Sequence, residues 1–146
     1  TVLSDHLSLY DAHEEKLAAE AGKSSWNVMD EPEPGAPEQV FQHELAADRN
    51  GNTFAAFVND ELQIGLCIRF EKSAIPYLTQ WKSLASGDFA MALEPTNCGF
   101  DGRAGATEIL KPFEKHINRI RFQILDGKDE IELLEHECRE VLECTM

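Results

Sequence analysis

Residues 81–103 read WKSLASGDFAMALEPTNCGFDGR. Within them Phe89, Met91 and Leu93 alternate with Asp88, Ala90 and Ala92, the period of two that puts every second side chain on one face of a β-sheet. Glu94 then falls in the register opposite to the apolar set. Pro95 follows at once; lacking an N–H and fixed in φ, it is expected to end regular ladder pairing and turn the chain into a loop of Thr96, Asn97, Gly99 and Gly102. A carboxylate where a strand gives way to a hydrogen-bonding loop is suited to proton transfer. An edge glutamate in plain water is the simpler alternative.

Working outward, the chain punctuates itself into short strands. VLSDHLSLYDA alternates Leu3, Leu7 and Leu9 with polar residues. HEEKLAAEAG reads as a short helix ended by Gly22 or as a loop over a sheet edge. Asp30 to Pro37, DEPEPGAP, holds three of the six prolines and is a surface loop. EQVFQHELAA is a strand, DRNGN a turn, and TFAAFVND with LQIGLCIRFEK completes a meander. Another strand runs from about Ile117 to Leu125. Short strands between turn signals predict a mainly β, antiparallel sandwich rather than βαβ winding. From Lys128 on, Ile131, Leu134, Cys138, Val141 and Leu142 recur at helical spacing, which predicts an amphipathic C-terminal helix over 128–146 packed on a β-sandwich of residues 1–127.

A length of 146 residues suffices for one domain that buries roughly 70% of its unfolded surface. The formal charge of −14 opposes nucleic acid and anionic membranes, because binding phosphates depends on Lys and Arg releasing counterions. No apolar run approaches the ~20 residues that span a bilayer. The four cysteines, Cys67, Cys98, Cys138 and Cys144, show neither a CxxC pair nor zinc-ligand spacing, so a reducing, cytoplasmic setting is expected and no metal site. Thr1-Val2-Leu3 starts inside what reads as a strand, with no initiator Met or signal peptide.

ALEPTN, preceded by PYLTQWK and followed by GRAGATEILKPFEKHINRIRFQIL, resembles the C-terminal part of the aldose 1-epimerase (galactose mutarotase-like) superfamily, closest to its DUF4432 branch. The resemblance runs from about Asp5 to Ile131 and covers half of a family domain. It implies half of a β-supersandwich, with Glu94 in the place of the general base that acts on the anomeric hydroxyl of a sugar. The family's general-acid histidine lies in an HxNFG-like motif for which this chain has no counterpart. Half a sandwich leaves apolar faces and edges uncovered, which predicts self-association or pairing with a separate N-terminal half. Mutarotation needs no metal and no cofactor: a base takes the C1 hydroxyl proton while an acid protonates the ring oxygen.

Further candidates line up around Glu94. His43 alternates with Val40, Gln42 and Glu44 and sits among apolar neighbours, as a satisfied interior histidine or as a contact to sugar hydroxyls. Trp81 offers a flat indole for a pyranose face, or for the core. Lys82 and Arg103 suit sugar hydroxyls or, for a phosphorylated ligand, a phosphate. Asn97 provides both donor and acceptor and is placed to orient Glu94 or the sugar. The expected function is carbohydrate binding with aldose 1-epimerase-type anomer interconversion of a small sugar. A binding module without turnover, or a structural remnant, is the alternative.

Overall fold

The computed structural model describes residues 4–9, 26–99 and 109–145. Its elements are β1 (Ser4–Leu9), β2 (Glu38–Leu45), β3 (Asn52–Asn59), β4 (Ile64–Glu71), β5 (Tyr77–Ser83), β6 (Ala90–Thr96), β7 (Ile120–Asp126) and one helix, α1 (Lys128–Thr145). The strands form two antiparallel sheets, one ordered β1-β2-β5-β6 and the other β3-β4-β7. The architecture is mainly β, as the alternation predicts. The segment HEEKLAAEAG lies outside the described residues.

Several details differ from expectation. The turn DRNGN does not join paired neighbours; it carries the chain from β2 in one sheet to β3 in the other. Asp48 makes that passage tight, its carboxylate accepting the backbone N–H of Asn50 and of Asn52 at 2.8 Å each, while Gly51 supplies a φ of 82°. Pro95 does not end its ladder: it stands opposite Leu78, and pairing continues to Thr96 opposite Tyr77. The strand is an edge of its sheet among the described residues, and an edge tolerates a missing N–H. Finally, Tyr77–Ser83 is a full strand, and an interior one, between β2 and β6.

β7 begins at Ile120 rather than Ile117, because Ile120 already faces Phe70, next to the end of β4 at Glu71. The core gathers between the layers from Leu45, Phe54, Ala55, Cys67, Ile68, Phe70, Leu78 and Leu125, and continues into the buried stripe of α1: Ile131, Leu134, Cys138 and Val141. Arg69 locks α1 to the sheet with two bonds to the Glu137 carboxylate, 2.6 and 2.8 Å, while its Nε donates to Gln123 at 3.1 Å. Glu130 accepts the Asp126 N–H at 3.0 Å and so ties the end of β7 to the first turn of the helix. Among the described residues no helix is long and apolar enough to cross a membrane.

One face of β3-β4-β7 is only partly covered. Thr53 Oγ1 donates to the Ala46 carbonyl at 2.6 Å, so this face meets the end of β2 at that corner. Along the next row across the sheet, Ala55, Ile68 and Phe122 are paired neighbours with exposures of 0, 2 and 67%. Ile120 and Ile124, which share the face of Phe122, are exposed too. The alternation of INRIRFQIL is therefore real, but most of its apolar side is bare.

Candidate functional site

The registers of β2, β5 and β6 decide which candidate residues meet. Gln42 faces Thr79 and Thr79 faces Glu94, so these three form a polar row across one face of the four-stranded sheet. The row's neighbours on β5, two residues to either side of Thr79, are Tyr77 and Trp81. Each is diagonal to Glu94, a separation of about 7–8 Å that aromatic and long side chains bridge. Glu94 is exposed, Trp81 and Tyr77 are half-buried, and Ala92, opposite Trp81, leaves the space beside the indole open. The strand therefore presents a carboxylate between two aromatic rings.

Beyond β6 the chain folds back over this face. Asn97 and Cys98 are exposed in the bend; Thr96 Oγ1 accepts the Cys98 N–H at 3.3 Å. A Cβ on Gly99 would lie 3.2 Å from Gln42 Nε2 and 3.6 Å from the Tyr77 ring, so the bend passes close over the sheet, where a side chain would crowd Gln42 and touch the ring. Gln42 Nε2 is buried beneath it without a hydrogen-bond partner. A buried amide donor in that state costs about 1–3 kcal/mol, a sign that the bend holds its position here against a local penalty.

His43 and Lys82 are on the other side of the sheet. The parity that sends Glu94, Thr79 and Gln42 outward sends His43, Gln80 and Lys82 inward, since His43 faces Leu78 and Lys82 faces Met91. Both are fully buried. His43 Nε2 donates to Gln80 Oε1 at 2.9 Å and its ring packs edge-on against Trp26, with centroids 5.2 Å apart. Gln80 in turn donates to the Trp26 carbonyl at 2.8 Å, and Lys82 to the Val28 carbonyl at 3.0 Å. Lys82 also lies over the Phe41 ring, 5.5 Å from its centroid. Burial holds the His43 imidazole below its ordinary value, against the opposing effect of the hydrogen bond it donates to Gln80. Burial likewise lowers Lys82, with the charge of Asp30 acting the other way. These two residues pin the 26–28 segment across the inner face, and the structure does not bring them to Glu94.

Of the residues singled out from sequence, Glu94 and Trp81 thus share one face, with Asn97 in the bend at its end. His43 and Lys82 form a separate interior network, and Arg103 lies outside the described residues. Tyr77, Thr79 and Gln42 were not singled out as site residues; the alternation of Tyr77, Thr79 and Trp81 in YLTQWK is the signal that leads to the first two once the segment is read as a strand. Among the described residues no cluster of His, Cys, Asp and Glu is arranged to hold a metal. A hollow of about 850 Å³ lies elsewhere, where the start of β7 meets α1, lined in part by Arg69, Arg119, Arg121 and Glu137. Its Arg69–Glu137 pair is already satisfied and it borders the bare strand β7, so the hollow belongs to the packing of α1 and the uncovered edge. The outer face around Glu94 is the better site, because there a carboxylate and aromatic surfaces converge.

Comparison with known proteins bears on the family and the fold. Residues 6–124 match the model of a family described as Domain of unknown function (DUF4432). The fold is similar to the crystal structure of a "putative aldose 1-epimerase" from Klebsiella pneumoniae subsp. pneumoniae MGH 78578, with a TM-score of 0.82 and 20% identity. The match covers 97% of this chain and 37% of that one, so this chain spans little more than a third of its solved neighbour. No curated protein matches.

Proposed function

Since the chain belongs to the DUF4432 family, we propose that the outer face of its four-stranded sheet binds a small sugar and that Glu94 is the base for interconverting its anomers. One observation supports this most: a solvent-facing carboxylate set between Trp81 and Tyr77, with polar side chains along its own row. Sugars are bound by such surfaces because their rings have apolar C–H faces that stack on aromatic rings and hydroxyl rims that need hydrogen bonds. The name given to the solved neighbour points to the same chemistry.

In this reading Glu94 takes the proton from the C1 hydroxyl while a second group protonates the ring oxygen. The C1–O bond to the ring breaks, the aldehyde forms, the C1–C2 bond rotates, and closure on the other face returns both protons. Trp81 holds the ring and Asn97 orients the carboxylate or a hydroxyl. His43 and Lys82 act at one remove, by fixing β2 and β5 from the inner side. The general acid comes from outside the described residues.

A second reading, a binding module without turnover, is favoured by the absence of any histidine facing Glu94 among the described residues. NMR-monitored anomer exchange of aldohexoses separates the two. Acceleration that disappears in Glu94→Gln supports the epimerase reading. Sugar-dependent quenching of Trp81 without acceleration supports the module, and the absence of both defeats the carbohydrate assignment. The second tryptophan of the chain, Trp26, stays as an internal reference on the inner face.

A further inference from the structure

The polar row Gln42, Thr79, Glu94 ends, on the side away from the carboxylate, in a donor with nothing to bond. Buried amides in folded proteins are paired as a rule, and each exception calls for an explanation. Gln42 Nε2 is such an exception among the described residues. The bend that covers it is not fastened there. Its hydrogen bonds run between Thr96 and Cys98, within the bend itself, and among the described residues no hydrogen bond ties Asn97, Cys98 or Gly99 down to the sheet. The spacing of the row says what the donor could meet. Neighbouring strands lie about 4.8 Å apart, so the backbones at Gln42 and Glu94, on either side of Thr79, are separated by about 10 Å. A single pyranose ring with a hydrogen bond at each end fills that gap. Thr79, 9% exposed, is the floor between the two ends.

We propose that Gln42 reads the C4 hydroxyl of an aldohexose, its idle Nε2 donating to that oxygen as the bend gives way to the entering sugar. Resting on the sugar reading of the outer face, this assignment adds a direction to it. With the anomeric hydroxyl at Glu94, the hydroxyl across the ring is the one on C4, so the ring lies along the row with C1 over β6 and C4 over β2. The substrate class is then aldohexopyranoses with a free C4 hydroxyl. A donor kept unpaired for a ligand leaves a signature opposite to that of a structural residue: removing it relieves the fold and weakens binding.

The test is calorimetric titration of the protein at its natural length with D-glucose, D-galactose and the 4-deoxy sugar common to both. In the unaltered protein the 4-deoxy sugar should bind about tenfold more weakly than the better of its two parents, the effect of one lost hydrogen bond. Gln42→Leu should weaken that parent about tenfold too, yet leave the affinity for the 4-deoxy sugar unchanged, because the two changes remove the same contact. Its urea midpoint should be no lower than that of the unaltered protein. The 2-deoxy form of the parent, which lacks the hydroxyl beside C1, should lose as much affinity on Gln42→Leu as the parent does. Equal losses for the parent and the 4-deoxy sugar overturn the proposal, as does insensitivity of the 2-deoxy sugar in place of the 4-deoxy one. A lowered midpoint with all affinities unaltered makes Gln42 a structural residue and overturns it equally, while sugar binding itself stands. If neither parent binds the unaltered protein, the sugar reading fails and this assignment fails with it.

Discussion

Two surfaces of this molecule stand open, and they differ in chemistry. Around Glu94 the outer face of β2-β5-β6 offers a carboxylate, a threonine hydroxyl and two half-buried aromatic rings. Around Phe122 the face of β7 offers only hydrocarbon, one residue after another. Polar groups between rings can be satisfied by a ligand that water also dissolves. A hydrocarbon stripe gains only by being covered, at roughly 25 cal/mol for each Å² removed from water. Exposure alone thus does not define a site; what the exposed groups still lack does.

The largest effect that tests this distinction is at Glu94. If the outer face is catalytic, Glu94→Gln should lower the anomerisation rate of the active assembly by about 10² to 10⁴ and leave sugar affinity nearly unchanged, read by NMR exchange and by titration. Equal rates in the two proteins would reduce the outer face to a binding surface. Next comes the contrast within one sheet face. Phe70→Ala, in the covered corner, should cost about 3–5 kcal/mol of stability, whereas Phe122→Asp in the 146-residue chain should change it by no more than about 0.5 kcal/mol. Urea unfolding of both variants measures the boundary of the covered region directly. If Phe122→Asp were as costly as Phe70→Ala, the face would not be bare.

Smaller is the effect of Trp81→Ala, which should weaken sugar binding about tenfold by removing one stacking wall, with stability little altered; calorimetric titration reads it. Smaller still is a pH signature from the opposite side of the sheet. Burial depresses His43, so the unfolded chain takes up a proton before the folded one does. Above about pH 6.5, the ordinary histidine value, the imidazole is neutral in both states and adds no pH dependence. As pH falls below it, stability should decline, levelling once the folded state is protonated as well. His43→Gln should flatten that part of the stability curve and leave sugar affinity at pH 7 in place. A matching loss of affinity would draw the inner network into the site.

Much of the fold was legible in alternation alone. TFAAFVND and LQIGLCIRFEK are β3 and β4, and the 3.6-residue recurrence of Ile131, Leu134, Cys138 and Val141 is the buried stripe of α1. β5 escaped because its inward positions include Gln80 and Lys82 while its outward ones include Tyr77 and Trp81, so a hydrophobicity pattern reads it inside out. Partners far along the chain, among them the carbonyls of Trp26 and Val28, offset the cost of that inversion. The same blindness affected the site. Glu94 and Trp81 were visible as residue types, but that they share a face follows from the pairing of β5 with β6. That His43 and Lys82 lie on the other face follows from the pairing of β5 with β2, which joins residues far apart in the chain. Neither register is written in the local alternation. β7 is the converse case: its alternation was plain, yet Ile120, Phe122 and Ile124 on its apolar side are exposed among the described residues.

Pro95 has a consequence for the margin of the four-stranded sheet. β6 is flanked on one side only among the described residues, and a bare strand margin is a template on which other chains can add and grow into fibrils. A proline within it removes a donor from the series such growth requires. The imino acid that follows Glu94 thus works against runaway polymerisation from this margin.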